Sequence, residues 1–349
     1  MGSDANVFLL GTGVVGSALL AILQNAKPRG VTLAGVANRR GAALARGASL
    51  PEAEAKSITA LPRTSHHRET VDDELLDALA ARRNAVLVDA TAADGLESLY
   101  VRALARGIHV VTANKKPLVV PWEVRQRLFD PSLRKLGAKL RYEATVGAGL
   151  PVIETLKDLV RTGDRVERID CVLSGTLGFV ANEIHAGTKL STAIAIAKDR
   201  GYTEPDPRED LGGADVARKA VILARELEGA SCAVEIGDVD LAPFVPPGVS
   251  LESLDAEVAA RAERHRARAE KLVYLARIEV KLDRVVASAG PVVVSADHPA
   301  ATLTGSSALV AFTTARYDPE PLVVRGSGAG GAVTAAAVLA DVLKVTGLA

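Results

Sequence analysis

Apolar runs alternate with helical patterns along the first part of the chain. The apolar run that ends at Leu10 predicts a buried strand, and the spacing from Ser17 to Gln24 predicts a helix directly after it. The alternation continues, with strands predicted at 31–37, 85–88, 108–111 and 139–145 and helices predicted at 72–82 and 94–106. Strands that alternate with helices predict a doubly wound parallel sheet, so the predicted fold class is α/β.

The pattern changes after residue 150, where helices are followed by a run of strands. The predicted helices cover 151–161, 213–228 and 251–276, and the predicted strands cover 166–173, 274–281, 285–289, 292–294 and 309–313. Such a run indicates an α+β domain with an antiparallel or mixed sheet. A last strand and an apolar helix are predicted to return to the first domain. The predicted domains are therefore 1–149 with 322–349, and 150–321.

A glycine-rich turn joins the first predicted strand to the first predicted helix. Glycines spaced as G-x-G-x-x-G allow a tight turn and a close approach of the backbone to a pyrophosphate, which the first amides of the helix would bind. The alternative is a structural glycine turn, but the strand before it and the helix after it favour a dinucleotide site. The candidate residues are Gly11, Thr12, Gly13, Val14, Val15 and Gly16.

The second predicted strand ends in Asn38, Arg39 and Arg40 rather than in an acidic residue. NAD-specific domains of this class carry an acid there, which binds the adenosine ribose and repels a 2′-phosphate. Guanidinium groups instead match the geometry of a phosphate. We predict that Arg39 and Arg40 favour NADP over NAD, and a solvent-facing arginine pair is the alternative.

Polar residues follow two other predicted strands, at the sheet edge where ligands of such folds bind. Thr91 follows one strand, and Thr112, Ala113 and Lys115 follow the other. A lysine beside a nicotinamide polarises a carbonyl or transfers a proton, although a capping turn with solvated lysines fits the spacing equally well. The glycine-rich segment that contains Gly330 is predicted to close over the cofactor.

The segment 201–219 combines carboxylates with a lysine. Two prolines make its first half a stiff loop, and a helix is predicted from residue 213. Asp215 and Lys219 are four residues apart on that helix and therefore share a face. Such a cluster would suit the capture of an ammonium group, with the lysine as acid or base. A solvated acidic loop with a surface ion pair is the alternative.

Composition and charge narrow the functional classes. A content of 48% hydrophobic and 24% charged residues is ordinary for a globular protein, and a formal net charge of zero gives no general attraction to nucleic acid or anionic membranes. The two cysteines are far apart, so no disulfide framework is expected, and no signal peptide or membrane span is predicted. We expect a cytoplasmic protein without nucleic-acid or membrane partners.

Several of these motifs, in this order, resemble those of homoserine dehydrogenases. The most specific is the segment 201–219, with Tyr-Thr-Glu-Pro-Asp-Pro at 202–207. The resemblance covers nearly the whole chain through the glycine fingerprint, Thr-Ala-Asn-Lys at 112–115, Glu-Ala-Thr-Val-Gly-Ala-Gly-Leu-Pro at 143–151 and Ser-Gly-Thr-Leu at 174–177. It is a resemblance to the short form of the family, without a C-terminal regulatory domain.

The resemblance implies an NAD(P)-dependent interconversion of L-homoserine and L-aspartate 4-semialdehyde, in threonine and methionine biosynthesis. It further implies a Rossmann-type nucleotide-binding domain, a substrate-binding and dimerisation domain, and a homodimer. The catalytic residues it implies are Lys115 and Lys219. The implied substrate-binding residues are Thr176, Tyr202, Glu204, Asp210 and Asp215. A structural Na⁺ or K⁺ site is implied at Glu143, Val146, Ala148 and Leu150.

Two other functions stay open at this point. Another nicotinamide enzyme of aspartate metabolism, such as aspartate semialdehyde dehydrogenase, would need an activated cysteine, and neither Cys171 nor Cys232 lies in a turn that exposes a thiolate. A catalytically silent cofactor-binding sensor would need neither Lys115 nor Lys219. Oxidation of NADPH with aspartate semialdehyde separates these functions.

Overall fold

The structure is a computed structural model that describes residues 4–26, 28–58, 71–203, 206–227, 232–246, 248–282 and 284–348. The chain divides into a first unit of Met1–Gly149 with Gly330–Ala349 and a second unit of Leu150–Ala329. The second unit is thus inserted, along the chain, between the body of the first unit and its last helix.

Parallel strands flanked by helices form the first unit, as the alternating pattern predicts. Its strands are β1 (Ala5–Leu10), β2 (Val31–Asn38), β3 (Gly41–Leu44), β4 (Ala85–Asp89), β5 (His109–Thr112) and β6 (Leu140–Arg141). Its helices are α1 (Val14–Asn25), α2 (Glu52–Ser57), α3 (Asp73–Ala80), α4 (Glu97–Leu104), α5 (Trp122–Phe129) and α12 (Gly331–Thr346). The strand order β3-β2-β1-β4-β5-β6 is that of a doubly wound sheet, which confirms the predicted α/β class.

One strand of this sheet departs from the parallel arrangement. β3 pairs antiparallel with β2, with Asn38 opposite Gly41. Arg39 and Arg40 are therefore the two residues of a tight hairpin turn, at the carboxyl end of β2. The turn lacks the Asn-Gly or Asp-Gly signal that marks most such hairpins, so the sequence pattern did not predict it.

The core of the first unit unites the two ends of its chain. Val7 and Leu9 of β1 belong to the same buried cluster as Val338, Val342 and Val345 of α12. The three valines recur at helical spacing, so α12 presents one apolar stripe to the sheet. The burial of such branched side chains is worth about 1.5–3 kcal/mol each, which makes α12 a structural part of the unit.

The second unit contains a mixed sheet, as predicted. Its strands are β7 (Val166–Val172), β8 (Asp240–Leu241), β9 (Lys271–Lys281), β10 (Arg284–Val294), β11 (Ser307–Thr314) and β12 (Leu322–Ser327). Its helices are α6 (Val152–Arg161), α7 (Gly175–His185), α8 (Leu190–Asp199), α9 (Pro207–Leu211), α10 (Ala214–Ala224) and α11 (Leu251–Arg266). The order is β12-β11-β7-β9-β10-β8, and the neighbours pair antiparallel except for the parallel pair β8 and β10.

Two boundaries predicted for this unit are wrong. The helix predicted to reach residue 276 ends at Arg266, and the chain turns at Ala269, whose φ is +54°. A glycine often marks the end of a helix, but the residue with positive φ here is an alanine. The sequence pattern therefore predicts that the helix continues into the apolar residues of β9. The strands predicted at 285–289 and 292–294 form one strand, β10, which continues through Pro291.

Three further segments correct the predicted organisation. β12 pairs with β11 in the second sheet, so residues 322–329 belong to the second unit and not to the first. No helix is predicted at 174–178, but this segment is the start of α7, where the Ser174 hydroxyl accepts the Leu177 N–H as an N-cap. The predicted loop at 201–210 becomes helical at Pro207, since proline is tolerated in the first turn of a helix.

Among the residues that the structure describes, none of the helices combines the length and apolar content that a membrane span requires.

Candidate active site

The glycine fingerprint lies in the turn between β1 and α1, as predicted. Gly13 is the N-cap of α1, and no described side chain caps the amides of that first turn. A Cβ added to Gly16 would lie 2.0 Å from the Gly11 carbonyl oxygen, so the backbone approach requires glycine. A Cβ on Gly13 would meet no described atom within 4 Å. The open side at Gly13 and the uncapped amides fit a pyrophosphate.

Other candidate cofactor residues surround this turn within the first unit. Thr91 follows β4, and a Cβ added to Gly11 would lie 2.6 Å from the Thr91 Cγ2 atom. Gly330 is the N-cap of α12, and a Cβ added to the next residue, Gly331, would lie 2.8 Å from a methyl group of Val14. The side chain of Val14 is itself 78% exposed. The structure therefore brings Thr91 and the start of α12 to the fingerprint turn.

Asn38 connects the basic hairpin turn to the fingerprint. Its Nδ2 group donates to Thr12 Oγ1 at 3.1 Å, and its Oδ1 atom accepts the backbone N–H of Arg40 at 2.8 Å. Asn38 is buried, Arg40 is half-buried and Arg39 is exposed. The two guanidinium groups thus extend from a turn whose backbone is tied to the fingerprint.

Lys115 lies in the loop that follows β5, one residue before a short 3-10 turn at Lys116–Leu118. The Thr112 Oγ1 atom accepts the Asn114 backbone N–H at 2.9 Å, so the loop folds back on the end of its strand. Ala113 donates its backbone N–H to the Asp89 carbonyl at 2.9 Å. The carboxyl ends of β4 and β5 therefore carry Thr91, Thr112, Ala113 and Lys115 on one edge of the sheet.

In the second unit, Lys219 is held at two points. Its Nζ atom lies 2.7 Å from Asp215 Oδ2, which is the predicted pair along one helix face. The same ammonium donates to the Leu173 carbonyl oxygen at 2.6 Å, where β7 ends. Lys219 is 8% exposed, whereas the side chain of Asp215 is 51% exposed. A lysine fixed in this way, beside an accessible carboxylate, suits proton transfer to a bound ligand.

The remaining predicted substrate residues belong to three elements of the same unit. The Thr176 hydroxyl, at the start of α7, donates to the carbonyl oxygen of Tyr202. Tyr202 is partly exposed, and its ring packs edge-on against Phe179 at 5.2 Å between centroids. Asp210 lies in α9, and its carbonyl accepts the backbone N–H of Gly213 ahead of α10. Glu204 lies outside the described residues.

The predicted cation segment has an unusual backbone. Glu143 and Val146 are buried, and Gly147 and Ala148 both have positive φ, at +79° and +56°. Glu143 donates its N–H to Asp341 Oδ2 at 3.0 Å, which ties the segment to α12. Leu150 is the first residue of the second unit.

In the described part of the chain, no group of three or more His, Cys, Asp or Glu side chains is arranged to hold a metal ion.

The sequence did not identify two contributors to these sites. Leu173 acts only through its carbonyl oxygen, which no side-chain pattern can indicate. Tyr100 is a fully buried residue of α4 whose hydroxyl lies 2.5 Å from Asp89 Oδ2. The sequence pattern of α4 indicates only that Tyr100 is another buried apolar position. Its polar role becomes visible only through the contact of its hydroxyl with the Asp89 carboxylate.

Comparisons with known proteins agree on one family. The family model described as "Homoserine dehydrogenase" matches residues 151–343, and the model described as "Homoserine dehydrogenase, NAD binding domain" matches residues 11–143. A homoserine dehydrogenase of Schizosaccharomyces pombe is 34% identical over 379 aligned positions, which cover 98% of this chain and 96% of that protein.

Two further matches differ in coverage and in what they support. The bifunctional aspartokinase/homoserine dehydrogenase 1 of Zea mays is 41% identical over 277 residues, or 75% of this chain, and the match spans only 29% of that longer protein. The match to the solved structure of a hyperthermophilic archaeal homoserine dehydrogenase in complex with NADPH covers 99% of this chain and 98% of that chain, with a TM-score of 0.72. At 24% identity that structure supports the fold alone.

Proposed function

Because the chain belongs to the homoserine dehydrogenase family of NAD(P)-dependent oxidoreductases, we propose that it interconverts L-homoserine and L-aspartate 4-semialdehyde by hydride transfer. This reaction belongs to threonine and methionine biosynthesis. The observation that carries the proposal is the buried Lys219 ammonium, held between Asp215 and the Leu173 carbonyl oxygen.

Lys219 acts as the acid or base at the reacting oxygen. When bound, the nicotinamide cofactor supplies or accepts the hydride. In the reducing direction, the Lys219 ammonium donates a proton to the carbonyl oxygen of the semialdehyde. In the oxidising direction, its neutral amine accepts the proton of the alcohol. Asp215 and Leu173 fix the nitrogen for both directions. The resemblance implies that Lys115 is the second catalytic lysine, and we assign to it the role of holding the reacting oxygen.

Carboxylates of the second unit bind the amino group of the substrate. Both substrates carry an ammonium group, and charged hydrogen bonds to it are worth about 1.5–3 kcal/mol. Asp210, Asp215 and Glu204 are our candidates for this role, with Thr176 and Tyr202 shaping the pocket.

A Glu204→Gln variant tests the capture of this ammonium. Because the amide keeps the shape and loses the charge, we expect KM for homoserine to rise by about tenfold or more, with a smaller fall in kcat. Steady-state kinetics in both directions measure the effect. Glu263→Gln on α11 is the matched control, since that carboxylate is 80% exposed and is not one of the candidate substrate residues. Equal KM values for wild type and Glu204→Gln would contradict the role.

NADP is the preferred cofactor in this proposal, with NAD as the weaker alternative. The supporting observations are the neutral Asn38 at the end of β2 and the two arginines of the following turn. The pyrophosphate would bind at Gly11–Gly16 and the first turn of α1, and Thr91, Thr112, Ala113 and Gly330 would line the rest of the cofactor site.

Three further features of the proposal come from the family resemblance. A Na⁺ or K⁺ ion would bind the carbonyl groups of the segment 143–150, where Gly147 and Ala148 have positive φ. The second unit would form a homodimer. The protein would act in the cytoplasm on small molecules, without nucleic-acid or membrane partners.

A single assay separates this activity from its rivals. A homoserine dehydrogenase oxidises NADPH when aspartate semialdehyde is added, and homoserine is formed. An aspartate semialdehyde dehydrogenase would instead reduce NADP⁺ with the semialdehyde and phosphate. Cys171 is unsuited to that chemistry, because burial, together with the charge of Asp170, raises the pKa of its thiol well above the usual value. A sensor would bind the cofactor without turnover of either substrate.

A further inference from the structure

A buried polar network lies beneath the carboxyl ends of β4 and β5. We call it the Asp89 network, and its members are Asp89, Thr91, Tyr100, Thr112 and Asn114. The Asp89 Oδ2 atom accepts from the Tyr100 hydroxyl at 2.5 Å and from Asn114 Nδ2 at 3.1 Å. The Asp89 Oδ1 atom accepts the backbone N–H of Thr91 at 2.8 Å. Tyr100 also lies 2.8 Å from Thr112 Oγ1.

The network is unusual because its central group is a carboxylate that is removed from water. Asp89, Tyr100 and Thr112 are 0% exposed, and Asn114 is 2% exposed. Burial of a carboxylate costs desolvation free energy unless hydrogen bonds compensate for it. An apolar residue would fill the same core position without this desolvation penalty. Burial raises the pKa of the Tyr100 hydroxyl well above its usual value, so the group keeps its proton and remains a donor.

The network fixes the backbone on both sides of Lys115. Asn114 donates through Nδ2 to the Ala93 carbonyl at 2.8 Å, and its Oδ1 atom accepts the backbone N–H of Lys116 at 3.1 Å. The residues before and after Lys115 are thus tied to the loop that carries Thr91. Asp89 connects the two loops, because its carboxylate accepts hydrogen bonds from both the Thr91 backbone N–H and the Asn114 side chain.

We propose that Asp89 and Tyr100 are positioning residues of the reaction, which hold the Thr91 loop and the Lys115 loop in one fixed arrangement. Neither side chain touches a substrate, and both act through Asn114 on the placement of Lys115. This inference rests on the proposed function, in which Lys115 holds the reacting oxygen. A misplacement of about 1 Å in such a group costs up to roughly a hundredfold in rate, so a buried network here has a direct kinetic consequence.

The test compares Tyr100→Phe with the wild-type protein. The variant keeps the ring and removes one donor to Asp89, so we expect kcat to fall by about tenfold. The KM values for both substrates should stay within about threefold, since the network does not touch them. The primary deuterium isotope effect on kcat, measured with NADPH deuterated at the transferred position, should rise as hydride transfer becomes rate-limiting. In the cofactor-free protein, amide hydrogen exchange at residues 112–116 should accelerate.

A matched control comes from the second unit. The Thr314 hydroxyl donates to Asp164 Oδ2 at 2.7 Å, and both residues are buried. They lie near the first residue of β7, whereas Leu173 follows its last residue. Thr314→Val removes this buried bond, together with the bonds that the hydroxyl accepts from the backbone N–H groups of Arg316 and Tyr317, and should lower Tm without changing kcat or the isotope effect. If Tyr100→Phe shows the same behaviour as Thr314→Val, the network serves only the fold and the inference is wrong.

A double-mutant cycle tests the route through Lys115. If the network acts by placing this lysine, Tyr100→Phe should lower kcat little further in a Lys115→Ala background. Fully additive losses would overturn the inference while leaving the proposed function intact. An absence of homoserine-dependent turnover in the wild type would instead contradict the proposed function. Asp89→Asn should repeat the Tyr100→Phe effects more strongly, and Tyr100→Phe decides the question if that variant does not fold.

Discussion

Replacement of Lys219 by alanine is expected to lower kcat by about a hundredfold or more in both directions. This is the usual scale for the loss of a general acid or base. Lys219 is not one of the candidate cofactor residues, so the Kd for NADPH, measured by fluorescence titration, should stay near the wild-type value. Turnover within a few-fold of wild type would contradict the assignment.

Two variants separate proton transfer from charge and stability. Lys219→Arg keeps the positive charge beside Asp215, but a guanidinium does not release its proton at neutral pH. We expect it to lose kcat as severely as the alanine variant. Lys157→Ala removes a lysine that lies 3.4 Å from Glu226 in the same unit, and it should retain normal kcat. Activity in Lys219→Arg would show that the charge alone is sufficient.

Simultaneous replacement of Arg39 and Arg40 by alanine is expected to weaken NADP binding by about 1.5–3 kcal/mol, or roughly ten- to a hundredfold in Kd. The physical reason is the loss of charged hydrogen bonds to the 2′-phosphate. NAD lacks that phosphate, so its Kd should change little. Titration of both cofactors measures the difference, and kcat must be measured separately because affinity and turnover are independent quantities.

The matched control is the double variant Arg102→Ala and Arg106→Ala. Arg102 of α4 and Arg106, just after the end of that helix, pair with Asp73 and Asp77 of α3 in the same unit, so their removal subtracts the same charge at another place. It should not distinguish NADP from NAD. If the Arg39 and Arg40 variant weakens both cofactors equally, the pair supports the fold of the hairpin turn and not phosphate recognition.

The family, the α/β class and the mixed second sheet were predictable because they depend on repeated signals. Alternating strands and helices indicate a parallel sheet wherever the loops fall, and several motifs in a fixed order identify the family. The pair Asp215 and Lys219 was also predictable, because four-residue spacing places both on one helix face, and their atoms lie 2.7 Å apart.

The missed features depend on contacts between distant residues or on weak local signals. β3 has only four residues, Gly-Ala-Ala-Leu, and its hairpin turn is formed by two arginines. The end of α11 lacks a glycine, so the helical pattern continues beyond it in the sequence. The residues that follow form β9 instead, because this strand pairs along its whole length with β10. Leu173 is 46 residues from the lysine that it binds. The roles of the individual site residues remain predictions.

The insertion of the second unit delays the moment during synthesis at which the first unit has all of its packing partners. The ribosome completes β1 to β6 before the second unit and makes α12 only afterwards. Until α12 emerges, Val7 and Leu9 lack the valines of that helix as packing partners. The first unit is therefore expected to stay incomplete during most of translation, while the second unit is free to fold first. A nascent chain stalled before residue 330 should be sensitive to proteolysis in its N-terminal part and resistant in the inserted unit.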